Sequence, residues 1–325
     1  MNDRLKVTYV ENKATQPSVQ SPISRRLEMQ ATMERLWHQK PGQFDPERDC
    51  IQRQRVQRTI EALHHRMSLT DKRVVDLGCG AGYISRLLRD GGAKVDAVDV
   101  ATNALQKLKT EDLRDITPIQ DCLPNTRLDD NAYDLVVCTE VVGYLDPKEY
   151  RLLFAELARL VKLDGIVACS TDLDIDSEAP LERFALLAET EFIFDQWILS
   201  YHRLFLKICR FLEAPALYIK AANNMELRTK QKDKRKALSR WWFAFNSTPI
   251  MSVWWRVVNF IAAPLASAMR QSERVLRVLE RITRFVWSES GISHALLIGR
   301  KRPLTYPLPD KEKPREIKHK RQVWE

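Results

Sequence analysis

Glycine and proline are both scarce, at 10 and 15 of 325 residues, which excludes a collagen-like or low-complexity chain. Cysteine is present six times, at positions 50, 79, 122, 138, 169 and 209. No two of these have the close spacing of a zinc knuckle or a thioredoxin-like site. Cys138 and Cys169 lie within apolar runs, where a thiol behaves as a small hydrophobe. The set therefore reads as reduced cysteines of a cytoplasmic protein. Met1 to Gln20 has no apolar core, so no secretory signal is expected. No window offers ~18 apolar residues free of charge, so no ordinary membrane span is expected either.

What is present is a chain able to build a core, with 44% apolar and 29% charged residues. Its length suits one large domain or two of roughly 100–200 residues. The balance is basic: 52 Lys and Arg against 43 Asp and Glu, a net charge of +9. Such an excess points to nucleic acid, an acidic membrane surface or a solvated basic face.

Residues 1–24 read as a flexible tail, and 25–70 as N-terminal helices, one from Arg25 to His38 and one from Asp45-Pro46 to about Met67. An aspartate cap followed by proline is a strong helix start. From Asp71 the chain alternates strand and helix. Strands are expected at 73–77, 94–100, 117–120, 133–138 and 166–170, with a helix at 147–163 and a turn at Asp164-Gly165. Further strands fit 192–201 and 291–300. This alternation predicts an α/β, Rossmann-like, seven-stranded and mostly parallel sheet with helices on both faces. Residues 71–202 and 289–300 form that domain, 203–288 interrupt it as a helical insertion before the last strand, and 301–325 form a flexible basic tail.

The sharpest local signal is Asp76-Leu-Gly78-Cys-Gly80-Ala-Gly82, leaving the first strand and opening a helix. Glycines there let backbone and free amides approach a ligand. A dinucleotide fingerprint, Gly-x-Gly-x-x-Gly, needs its third glycine at position 83, which is Tyr83. Here the third glycine comes one place early and an acid precedes the first, which suits a ligand bearing an amino group. Asp99, ending the second strand, stands where a carboxylate can accept both hydroxyls of a ribose. The motif resembles that of the class I S-adenosylmethionine-dependent methyltransferases, over roughly residues 71–175. The resemblance implies S-adenosylmethionine as cofactor, with Asp76, Gly78, Gly80 and Gly82 at its methionine part. It further implies Asp99 at the ribose, Asp121 and Cys122 at the adenine, and Thr139 at the end of the fourth strand lining the cleft.

Within that family the chain is distantly similar to ubiquinone and menaquinone biosynthesis methyltransferases, which carry Cys-x-Glu-x-x-Glu-His after the fourth strand. Cys138 and Glu140 match, but Gly143 and Tyr144 stand in place of the second acid and the histidine. No metal ligand set carries over. Methyl transfer from an activated donor needs alignment and exclusion of water, and a hydroxyl acceptor benefits from a nearby base. Tyr144, Glu140 and His202 are the candidates, with His202 reading more simply as a structural histidine.

The basic excess lies in the insertion. Residues 203–288 hold 17 Lys and Arg against 5 Asp and Glu, whereas 71–175 hold 13 against 19. Five of the eight tryptophans are there as well. Ile250, Val253, Trp254, Val257, Val258, Ile261 and Leu265 fall on one helical face, although Arg256, Asn259 and Pro264 argue against a spanning segment. Val275, Val278, Leu279, Ile282, Phe285 and Val286 form a second stripe beside Arg270, Arg274, Arg277, Arg281 and Arg284. An apolar face flanked by arginines describes a helix in a membrane interface, with tryptophans at headgroup depth. The competing reading is a lid whose stripes pack on one another. Nucleic-acid contact is a third. The expectation is a methyltransferase for a lipophilic small molecule, such as a quinone precursor, on an anionic membrane surface. The alternatives are an RNA or protein acceptor, and a binding module without activity.

Overall fold

The computed structural model describes residues 22–39, 45–109, 114–173, 180–225, 229 and 237–303. Strands β1 (Arg73–Leu77), β2 (Lys94–Asp99) and β4 (Tyr133–Cys138) are buried almost throughout, as apolar runs are when a parallel sheet is covered on both faces. β3 (Ile116–Gln120) contains Pro118 and lies at the sheet edge, where the missing N–H costs no ladder bond. The strand order is β3-β2-β1-β4-β5-β7-β6, with β5 at Val161–Asp172, β6 at Phe192–Ser200 and β7 at His294–Lys301. β7 runs antiparallel between β5 and β6, and the remaining pairs are parallel. The order reverses between β1 and β4, so their carboxyl ends open a crevice there.

Side chains of successive strand residues point to opposite faces, and the two cores follow that alternation. On one face Val74, Val95, Ala97, Leu135 and Val137 meet Leu63 of α2 (Cys50–Arg66), Leu88 of α3 (Tyr83–Asp90) and Leu108 of α4 (Thr102–Lys109). On the other, Val75, Leu77, Val136 and Cys138 meet Phe154 and Leu157 of α5 (Tyr150–Leu160) and Phe184 of α6 (Pro180–Ala188). Fully burying each large apolar side chain contributes about 1.5–3 kcal/mol, so these two layers hold the sheet rigid beneath the crevice.

Between β6 and β7 the chain forms α7 (Arg203–Asn223), α8 (Ala237–Asn246), α9 (Pro249–Gln271) and α10 (Glu273–Trp287). A small separate core joins Phe205 and Cys209 of α7 to Met269 of α9, Leu276 of α10 and Cys50 and Ile51 of α2. The Ser272 side chain accepts from Val275 N and starts α10 directly after α9. An eighteen-residue stretch of α9 is apolar enough to cross a membrane once up to two charges are tolerated.

Several expected boundaries move. α1 spans Pro22–Gln39, so the tail ends before 24, and residues 1–21 lie outside the described residues. The expected Asp45–Met67 helix is split into a single 3-10 turn at Pro46–Arg48 and α2, because Asp49 is extended and its carboxylate caps Ile51 N. α5 stops at Leu160, and the expected turn at Asp164-Gly165 is a bulge inside β5. Tyr133 pairs with Val161 while Leu135 pairs with Ile166, so the intervening residues loop out of register. Of the 301–325 tail, Lys301 still belongs to β7, and 304–325 lie outside the described residues.

Candidate active site

Above the carboxyl ends of β1, β2 and β4 lies a cavity of about 920 Å³, within the range of ligand pockets. Its floor is the glycine loop. Gly78, Gly80 and Gly82 all have positive φ, a conformation L side chains resist. A Cβ at Gly78 would collide with Val141, and one at Gly82 with Leu108. The amides of the loop are less free than its sequence suggests. Gly78 N and Cys79 N donate to Val98 O at 2.8 and 2.9 Å, and Gly82 N donates to Cys79 O at 2.8 Å. Gly80 N donates to Asp99 Oδ2 at 2.9 Å. What the loop offers a ligand is its close, side-chain-free backbone.

Three carboxylates ring that floor. Asp76 is 2% exposed and accepts from Ser85 Oγ at 2.6 Å. Burial raises its carboxyl to about 6, with Asp99 adding repulsion against the Ser85 bond. Asp99 accepts from Gly80 N through one oxygen and from Ala101 N through the other, and burial raises it as well. Asp121 accepts from Arg26 and from Cys122 N on one oxygen, and from Arg127 N on the other. Asp76, Asp99, Asp121, Cys122 and Thr139 all line the cavity together with Gly78 and Gly80. Gly82 caps α3 behind them.

Sequence reasoning did not foresee the roof. Met29, Met33 and Trp37 of α1 line the cavity, and a Cβ on Gly80 would meet the Trp37 ring at 2.9 Å. Ion pairs from Arg25 to Glu149 and from Arg26 to Asp121 hold α1 in place. Glu34 accepts from Thr102 N and Asn103 N, closing the first turn of α4. The partners stand 68 to 124 residues apart, and no local pattern encodes them.

The end of β4 carries the second group. Glu140 has φ +60, a strained setting for a non-glycine residue. Its backbone N donates to Ser170 Oγ at 3.1 Å, and Ser170 Oγ donates in turn to Glu140 Oε1 at 2.9 Å. Arg55 of α2 bridges Glu140 Oε2 at 2.7 Å and Asp172 Oδ1 at 2.5 Å. His294 Nε2 lies 2.6 Å from Glu140 Oε1. Burial opposes the Glu140 charge, but His294 and Arg55 overcome it and hold the carboxyl well below its usual range. His294 is itself pushed down, by burial and then by Arg55. The neutral imidazole therefore donates from Nε2, and its buried Nδ1 has no hydrogen-bond partner among the described residues. Tyr144 is 41% exposed and faces the cavity. Burial, and then Glu140 and Asp172, raise its phenol.

Of the three candidate bases, Glu140 and Tyr144 line the cavity and His202 does not. His202 is fully buried, with Nε2 2.7 Å from Gln54 Oε1, and burial drives its pKa well below the ordinary value. It is a structural residue of the α2–β6 junction. Among the described residues no group of three or more His, Cys, Asp or Glu converges as a metal site. Leu206 and Arg210 of α7 and Arg270 of α9 complete the far wall, so the insertion takes part in the cavity.

The residues fit S-adenosylmethionine. The buried acid Asp76 lines the cavity beside the glycine loop, where it would pair with an ammonium, and Asp99 lines it from the second strand end. The side-chain-free loop and the apolar ring of Trp37 and Met33 suit the rest of such a molecule. Residues 74–165 match the family model of a methyltransferase domain. Ubiquinone biosynthesis O-methyltransferase of Burkholderia thailandensis is 35% identical over 107 residues, 32% of this chain and 45% of the relative. That of Yersinia enterocolitica is 28% identical over 167 residues, 50% of this chain and 65% of the relative. The chain thus spans about half to two thirds of the length of these curated relatives. Among solved structures, magnesium protoporphyrin IX methyltransferase from Synechocystis PCC 6803 with bound S-adenosylhomocysteine aligns at TM-score 0.44 and 17% identity, covering 53% of this chain and 92% of that one. Over residues 74–165, which hold the glycine loop and the ends of β1, β2 and β4, this chain is similar to a methyltransferase domain.

Proposed function

We propose that the protein transfers a methyl group from S-adenosylmethionine to a lipophilic small molecule of the quinone-precursor kind. In this reading it is a cytoplasmic enzyme held peripherally at a membrane surface. The observation that carries the reading is the continuity of one cavity from the glycine loop to a wall of α7 and α9. Its acceptor end is bounded by Val141, Leu145, Leu173 and Leu206 together with Tyr144 and Arg210. That composition suits an apolar body with a polar reacting group. The names of the relatives point the same way.

When bound, S-adenosylmethionine supplies a methyl already activated by its sulfonium. The protein's task is then to orient and to dry the site. Asp76 would receive the cofactor ammonium and Asp99 the ribose hydroxyls, beneath the roof that Trp37 and α1 form. Glu140, fixed by Arg55, His294 and Ser170, stays ionised and presents an acceptor that orients an incoming hydroxyl. Tyr144 stays protonated and acts as a hydrogen-bond donor.

The test is incubation of the purified protein with isotope-labelled S-adenosylmethionine and a panel of polyprenylated catechols, RNA and protein. Label in the polyprenylated fraction supports the proposal. Label only in RNA or protein refutes the acceptor class, and absence of S-adenosylhomocysteine binding by calorimetry refutes the enzyme itself.

A further inference from the structure

The helices α9 and α10 turn their most apolar faces outward. Ile250 is 85% exposed, Phe260 84% and Phe285 91%. The buried side of α9 consists of Ser252, Ala262, Ala266 and Met269, residues small enough, Met269 apart, to bring its backbone close to α7. On α10 the buried side is Leu276, Glu280 and Thr283. Apart from Val258 and Leu279, which are partly buried, the stripes expected to pack in a lid are left exposed. Only 17% of the most apolar stretch of α9 is buried. Exposed apolar surface of this kind marks a docking site.

The charges say what docks there. Both acids of α10 are bonded inward: Glu280 pairs with Arg58 at 2.9 Å and Glu273 with Arg53 at 2.7 Å. Arg274, Arg277 and Arg281 are exposed with no acidic partner among the described residues. At about 100° per residue they recur on one edge, beside the exposed Val278, Ile282 and Phe285 and away from Leu276. Arg270 leaves this rail, because Asp49 and Glu213 bind it. A second copy of the chain would set one arginine row against another, whereas lipid phosphates complement it. Trp254 within the first stripe and Trp287 at the end of the second are exposed, as interfacial tryptophans are.

We infer that α9 and α10 are a docking surface for an anionic lipid bilayer, lying half-submerged in its interface without crossing it. This deepens the membrane half of the reading above. α9 is long enough to span, but Arg270 at its carboxyl end is tied to Asp49 beside α2. Its inner face packs on α7, which carries Lys207, Arg210 and Lys220, and a crossing would drag those charges into hydrocarbon. α7 carries the docking helices on one side and lines the cavity with Leu206 and Arg210 on the other. A membrane-borne acceptor therefore meets the cavity wall where the protein meets the lipid.

The experiment uses the full chain with sedimented vesicles of phosphatidylcholine alone and of phosphatidylcholine mixed with phosphatidylglycerol. The expected result is retention on the anionic vesicles only, weakened by salt. Ile282→Glu with Phe285→Glu abolishes retention, and Arg277→Ala with Arg281→Ala lowers it on the order of 30-fold, at about fivefold per charge. Calorimetry with S-adenosylhomocysteine in the absence of lipid is unchanged in both variants, which separates this inference from the cofactor reading. Three outcomes overturn it: equal retention of wild type and both variants, a dimer that the Ile282→Glu, Phe285→Glu variant dissolves, or resistance to carbonate extraction, which shows a span.

Discussion

Replacing Asp76 by Asn separates the stability of the site from its affinity. The carboxylate is buried at the end of β1 and its folded pKa is about 6 against an ordinary 3.8. A folded value above the unfolded one means that protonation favours the native state. That contribution is fully present below the unfolded pKa and is lost as pH rises through about 6. The gap of about two units corresponds to ~3 kcal/mol against the ionised, cofactor-free form. Asn keeps an acceptor for the Ser85 hydroxyl and removes the charge. The cofactor-free variant is therefore as stable as wild type or more so at neutral pH. Its stability also lacks the fall that wild type shows between about pH 4 and 6. Binding moves the other way. An ammonium beside Asp76 pulls its pKa back down, so wild-type affinity is constant above about pH 6 and falls up to tenfold per unit below it. Asn loses the charge-assisted bond, about 1.5–3 kcal/mol, so its affinity is lower by about 10- to 100-fold and does not share that slope. Thermal melts without cofactor and calorimetry with S-adenosylhomocysteine, from about pH 5 to 8, read both effects. A wild-type affinity flat over that range, or the same slope in the Asn variant, refutes the placement of the ammonium at Asp76.

Glu140→Gln leaves cofactor affinity unchanged and lowers turnover by on the order of 10²-fold, as for a lost acid–base or orienting group; steady-state and binding measurements on one preparation check the split. Tyr144→Phe removes only a hydrogen bond, so turnover falls by about 10-fold and the pH profile keeps its shape, because the phenol is not the titrating group. Gly78→Ala places a Cβ against Val141 at φ +76, so cofactor binding is lost and the melting temperature falls, by a strain of about 1–3 kcal/mol. Phe154→Ala, at a fully buried core position, destabilises by about 3–5 kcal/mol in denaturant titration.

Whatever rests on short spacing was legible in the order of the residues. The acid-led glycine loop, the order of alternating strands and helices, Asp99 at its strand end and the apolar stripes of the insertion are all periodic or contiguous. Local pattern suffices for these because a strand or helix exposes its period within a few residues. It failed at two boundaries: Asp49, whose carboxylate caps Ile51 N, splits the expected second helix, and Val161 enters β5 against Tyr133, 28 residues away. Which charges neutralise one another depends on long-range packing. Arg55 reaches Glu140 and Asp172 across 85 and 117 residues, and so turns a candidate base into a fixed anion. Likewise, Arg270 is taken from the arginine rail by Asp49, 221 residues away. The faces of α9 were decided in the same way. A hydrophobic stripe states that a surface avoids water, but not whether protein or lipid covers it. Here the small residues opposite the stripe allow the closer approach to α7, so they are buried and the large apolar side chains are left outside.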